Sequence, residues 1–184
     1  AASGSDVIHP VASLTKVMNI LVALDHIDKG NKSLDDKVCF DQATANVGGS
    51  WLNVKNGECF ALRDLLRAVL VYSGCDAAEA LAEYLPGGKT AFINLMNEKV
   101  RSLGANSSHF VTPFGVKPED KSSAKDLAKI LDAAMDNPIF AEYFKEGENQ
   151  STSITITRNG TSFQRSLYST NPLKTTPGIE GTKT

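Results

Sequence analysis

The apolar positions Val17, Met18, Ile20, Leu21, Val22, Leu24 and Ile27 return to one helical face, with Pro10-Val11-Ala12 ahead of them and Gly30 behind as a left-handed cap. This pattern predicts a buried first helix with Ser13 in its first turn. A polar turn from Asn31 to Asp36 leads to strand-like Val38 to Phe40. Asp41 to Asn56 has no period; this irregular stretch holds Gly48-Gly49 and the sole tryptophan, Trp51, and reads either as an exposed connection or as the wall of a site. After a short strand at Cys59, the spacing of Leu62, Leu65, Leu66, Val69 and Leu70 predicts a helix ending at Tyr72. Alanine-rich Asp76 to Tyr84 predicts another, stopped by Pro86-Gly87-Gly88. Thr90 is the expected cap of a helix carrying Phe92, Leu95, Met96, Val100 and Leu103, ended by Gly104.

His109 to Val116, with Thr112-Pro113-Phe114-Gly115, reads as extended chain and loop. Ser122 or Ser123 caps a helix through Leu127, Ile130, Leu131 and Met135, which Asn137-Pro138 breaks. Ser153 to Thr157 alternates at period two, Asn159-Gly160 signals a type I′ hairpin, and Thr161 to Tyr168 supplies the return strand. Helices come mostly early and strands mostly late. The expected fold is α+β, a helical cluster packed on an antiparallel β-sheet that the chain only partly supplies.

With 184 residues, 41% of them hydrophobic, the chain can bury one sizeable core, and residues 1–184 are read as a single domain. Nineteen basic against 21 acidic residues leave a formal charge of -2, which gives no nucleic-acid surface and no basic membrane patch. No apolar run has membrane-spanning length, and Ala1 to Ser5 is too short and polar for a secretory signal. Of three cysteines, Cys39 and Cys59 lie in strand-like stretches; a bridge between them would contribute about 3 kcal/mol by chain entropy, and the sequence leaves that pairing open.

Candidate chemistry begins at Ser13-Leu14-Thr15-Lys16. Three residues on a helix place the Lys16 amine one turn from the Ser13 hydroxyl. A serine is a weak nucleophile until a base takes its proton, and a lysine serves once burial or another cation lowers its pKa. Ser-x-x-Lys alone is a loose pattern, repeated here at Ser122-Ser123-Ala124-Lys125, and a serine starting a helix is commonly only a cap. Two later positions add weight. Tyr72-Ser73-Gly74-Cys75-Asp76 falls at a turn between two helices, where Ser73 can project into a cleft. The final Gly178 to Thr184 reads as a strand carrying Lys183 and Thr184. His9, His26 and His109 are too scattered for a triad or a metal site.

These motifs resemble the D-alanyl-D-alanine carboxypeptidases, the low-molecular-mass penicillin-binding proteins, whose signatures are Ser-x-x-Lys, Ser-x-Asn and Lys-Thr-Gly. Ala12 to Lys16, Ser73 to Ala77, Leu95-Met96-Asn97, Leu103-Gly104 with His109-Phe110, Ser122 to Leu127, and Pro177 to Gly181 fall in the family's order and approximate spacing. The resemblance therefore covers nearly the whole chain and implies a transpeptidase-like fold, no cofactor and no metal.

What the resemblance implies for mechanism fits the side chains. Ser13 would attack the carbonyl between the terminal D-alanines of a peptidoglycan stem peptide, Lys16 would accept its proton, and Ser73 would relay a proton to the departing amine. Lys183 would meet the substrate's terminal carboxylate, and Thr184 would add a hydroxyl hydrogen bond. The Ser13 N–H would form half of an oxyanion hole, with the other half beyond Thr184. β-Lactam antibiotics would acylate the same serine. The implied location is the extracytoplasmic cell envelope, with a membrane tether outside this chain. Cys75 stands where the family usually has asparagine, a feature of some D,D-transpeptidases, and it reads equally as a small buried residue or a substrate-binding one. The third motif lacks its glycine, and the strands that the family places before the nucleophile helix and after the third motif are not in this sequence, so the domain is expected to be incomplete at both ends. Two rivals differ in class. A class A β-lactamase would need a Glu-x-x-Leu-Asn loop, which the sequence lacks, and a non-catalytic relative would bind peptidoglycan through the same scaffold.

Overall fold

The computed structural model describes residues 4–146, 151–172 and 183. Helix α1 (Thr15–Asp28) is its axis, and a short 3-10 turn, Ala12–Leu14, leads into it. Every residue from Thr15 to Leu24 is buried, so α1 is enclosed on all sides rather than along one apolar face. Its neighbours explain this: α2 (Leu62–Leu70), α3 (Cys75–Tyr84), α4 (Gly88–Ser102), α5 (Ala124–Met135) and α6 (Pro138–Glu146) all pack against it. Most predicted helices stand where the periodicity puts them. One cap differs: α4 begins at Gly88 behind Gly87, whose φ is +89°, and Thr90 lies inside the first turn. Helix α6 is an addition. Asn137-Pro138 ends α5, but Asn137 Oδ1 also accepts the Ile139 and Phe140 N–H groups and Pro138 suits a first helical position, so the same dipeptide starts a new helix.

A four-stranded antiparallel sheet, ordered β2-β3-β5-β6, covers the cluster: β2 (Lys37–Cys39), β3 (Cys59–Ala61), β5 (Ser151–Arg158) and β6 (Thr161–Tyr168). The β5–β6 hairpin turns at Asn159 and Gly160, with φ of +48° and +78°, as a type I′ turn requires. Ile154 and Ile156 face the core, and Asp64 of α2 accepts the Thr155 N–H at 2.9 Å. Cys39 and Cys59 are register partners and are joined by a disulfide, which resolves the open pairing. A small second sheet pairs β1 (Ile8–Pro10) with β4 (Lys121–Ser123). Neither strand was expected, because Ile8-His9-Pro10 and Lys121-Ser122-Ser123 form no apolar stretch of the kind that marks β2 and β3. Ser123 caps α5, its Oγ accepting the Asp126 N–H. The strand predicted for Gly178 to Thr184 falls, apart from Lys183, outside the described residues.

Candidate active site

Several segments meet at the N-terminal end of α1. The first is the turn carrying Ser13. Its hydroxyl lies 2.9 Å from Lys16 Nζ. The residue before it, Ala12, has φ +46°, a left-handed conformation that a non-glycine residue holds only when its surroundings enforce it. The enforcing group is Gly115: a Cβ there would stand 1.8 Å from the Ala12 carbonyl oxygen, so the two backbones are in direct contact.

Lys16 is fully buried. Burial pushes its pKa below the ordinary lysine value, and the Cys75 sulfur and Asp76 carboxylate pull less strongly the other way. Besides Ser13, its Nζ contacts Cys75 Sγ at 3.4 Å and donates to the Phe114 carbonyl at 3.1 Å. No side-chain pattern marks the latter, because a main-chain carbonyl carries it. The loop presenting it is built by buried Asp120, whose carboxylate accepts the N–H groups of Val111, Thr112 and Lys117 and the Thr112 hydroxyl. Thr112 Oγ1 in turn accepts the Gly115 N–H at 2.8 Å. Asn19, one turn beyond Lys16, donates to Ala78 O at 3.2 Å and Pro113 O at 3.0 Å, which fixes α1 to α3 and to this loop. Its only sequence signal was an amide inside an apolar helix.

The second segment is the turn before α3. Ser73 is buried with φ +65°, and Cys75 opens the helix as a buried free thiol. The third is the Gly48–Val54 stretch above them. Cys75 N–H donates to Ser50 O at 2.8 Å, Asp76 accepts the Leu52 N–H at 2.9 Å, and a Cβ on Gly49 would come within 2.7 Å of Cys75 Sγ. Burial raises the Asp76 pKa, and the N–H groups of Leu52 and Ala77 oppose that rise. Lys183 Nζ reaches Ser73 Oγ at 2.6 Å. Burial, with the positive Lys16 as second cause, holds its pKa well below the lysine range.

Five of the six sequence-derived candidates, Ser13, Lys16, Ser73, Cys75 and Lys183, therefore gather around two amines, each touching a serine hydroxyl. Thr184 lies outside the described residues. Among the described residues no group of His, Cys, Asp and Glu could hold a metal ion.

The sequence profile of the D-alanyl-D-alanine carboxypeptidases matches residues 1–184. The D-alanyl-D-alanine carboxypeptidase DacB2 of Mycobacterium tuberculosis is 40% identical over 149 residues, which is 79% of this chain and 49% of that protein. DacF of Bacillus subtilis, also a D-alanyl-D-alanine carboxypeptidase, is 31% identical over 175 residues, covering 94% of this chain and 43% of its own length. Thus the chain spans about half the length of these relatives. Among solved structures, the DD-transpeptidase of Streptomyces K15 superposes with a TM-score of 0.84 at 27% identity, covering all of this chain and 74% of that one. Since the profile runs through every segment that meets at Ser13, the chain belongs to the D-alanyl-D-alanine carboxypeptidase family.

Proposed function

We propose that this chain carries the serine nucleophile of a D,D-peptidase acting on the D-Ala-D-Ala end of peptidoglycan stem peptides, and that β-lactams acylate it. The observation that carries the reading is the fully buried Lys16 amine, its pKa lowered by burial, 2.9 Å from Ser13 Oγ. A neutral amine has two N–H groups and one lone pair. The Phe114 carbonyl can only accept and occupies one N–H, and Cys75 Sγ receives the other, so the lone pair is left for the Ser13 hydroxyl proton.

Ser13 Oγ then attacks the penultimate carbonyl while its proton passes to Lys16. As the C–N bond breaks, the leaving amine takes a proton delivered through Ser73, which Lys183 holds in place. Burial disfavours the charge on Lys183, and a substrate carboxylate close to its amine would favour it. Thr184 would add its hydroxyl to the same carboxylate. Cys75 would line the binding cleft, its small thiol fitting under Gly49. Either water or an amine can take the acyl group from Ser13. Transfer to an amine is the second reading, favoured by Cys75 in the second motif and by the likeness to the Streptomyces K15 DD-transpeptidase. An extracytoplasmic location, with any membrane tether outside this chain, is supported by the Cys39–Cys59 disulfide, a bond that persists in oxidising compartments. No helix among the described residues is long and apolar enough to cross a membrane.

The test is the intact mass after incubation with benzylpenicillin. An adduct mapping to Ser13 and absent from Ser13→Ala is expected; its absence from a protein extended past Thr184 would leave the scaffold with binding alone. A D-Ala-D-Ala peptide offered with and without an added amine then separates hydrolysis from transfer by product ratio.

A further inference from the structure

Gln42, Trp51, Asn53, Lys55 and Asn56 line an open cleft of about 300 Å³ on the loop that covers Cys75. Residues 51 to 55 alternate: Leu52 and Val54 are buried in the core, while Trp51, Asn53 and Lys55 point outward. Trp51 is the sole tryptophan and half of it is exposed. An exposed indole is ordinary when it stands alone on a mobile loop. This one is held from several sides. Ser50 O is bonded to Cys75 N–H, Leu52 N–H to the Asp76 carboxylate, and Leu52 O to the Arg165 guanidinium, so both neighbours of Trp51 are fixed. Downstream, Lys55 N–H donates to Glu58 at 2.8 Å, and the Cys39–Cys59 disulfide closes the base of the loop.

We infer that this cleft is a saccharide subsite, which binds the amino-sugar strand from which the stem peptide hangs. The lining matches that chemistry. A flat indole face offers an apolar platform for the C–H face of a pyranose ring. Asn53 and Asn56 bring carboxamides, which both donate and accept and so suit hydroxyl and acetamido groups. Lys55 is the one charged residue in the lining, and no acid stands there to select a cationic peptide. The place also fits. Trp51 sits between Ser50 and Leu52, which are bonded to Cys75 and Asp76, so the cleft is carried by the same loop that covers the candidate active site. This choice of sugar rests on the proposed peptidoglycan substrate.

Because Trp51 is the only indole, its fluorescence reports this cleft directly. The chain is titrated with a tetramer of N-acetylglucosamine, and with a glucose tetramer as control. A saturable change in emission is expected with the first, at concentrations on the order of 1 mM for a weak, open site. Asn53→Asp keeps the left-handed conformation that Asn53 adopts at φ +54°, and Lys55→Ala is a surface change; each keeps the fluorophore and is expected to weaken binding at least about fivefold, roughly 1 kcal/mol. No change in emission, or equal affinity in both variants, or an equal response to the glucose tetramer would overturn the inference. The titration needs no catalysis. A chain that binds the tetramer but is never acylated at Ser13 would remove the proposed reaction and leave the subsite standing.

Discussion

At Gly115 one hydrogen atom separates a working turn from a clash. Its φ of +86° suits glycine, and the Cβ of any other residue would meet Ala12 O at 1.8 Å and Thr15 Oγ1 at 2.7 Å. Gly115→Ala is therefore expected to lose about 2 to 4 kcal/mol by overpacking and backbone strain, and to slow acylation of Ser13 more than tenfold by displacing the turn before it. Chemical denaturation and the rate of benzylpenicillin labelling check the two parts. Labelling at the normal rate would mean that the contact does not position the serine. Single residues also show what the sequence could and could not reveal. Ser13, Lys16, Ser73 and Cys75 were legible because their chemistry is carried by their own side chains at recognisable spacing. Phe114, Gly115, Asp120 and Asn19 were not, because they act through backbone carbonyls and N–H groups brought together from distant parts of the chain.

Among elements, long periodic segments were readable, and of the short strands only β2 and β3, which stand out as apolar stretches, were. Helices α2, α3 and α5 and the β5–β6 hairpin follow their patterns, since each buries a face that the sequence writes at its own period. The β1–β4 pair has three residues per strand and joins Ile8 to Ser123, so its partner is set by tertiary structure. The loop between β2 and β3 is the most consequential of the unpatterned segments, because it roofs Cys75 and carries Trp51 while having almost no regular structure of its own. Its order comes from Asp76, Arg165 and the disulfide at its base. Closing a loop of 20 residues removes about 3 kcal/mol of chain entropy from the unfolded state. Replacing Cys39 and Cys59 by alanine is expected to lower stability by that order. It should also broaden and red-shift Trp51 emission as the roof loosens, while a variant whose emission is unchanged would show that Asp76 and Arg165 hold the loop unaided.

For the molecule as a whole, the site works against the fold. Lys16 is enclosed at the centre of the helical cluster and Lys183 is pressed against Ser73, and burial lowers both pKa values from the ordinary 10.5. Between the lowered folded value and 10.5 the unfolded chain binds more protons at these two positions than the folded one. Folding is therefore disfavoured by these lysines at neutral pH, and stability rises as the pH climbs toward the unfolded value. In that window each group adds a slope of at most about 1.4 kcal/mol per pH unit. The comparison that isolates it is wild type against Lys16→Met, and then Lys183→Met, with unfolding free energy measured by urea at several pH values from neutral upward. Removing the amine also leaves the Phe114 carbonyl without its donor, so the absolute stability of Lys16→Met mixes two effects of opposite sign, and the slope does not. A flatter rise in each variant is the expected result. Parallel curves for wild type and Lys16→Met would mean that Lys16 keeps an ordinary pKa in the folded protein, and the physical basis for its acting as the base toward Ser13 at neutral pH would be gone.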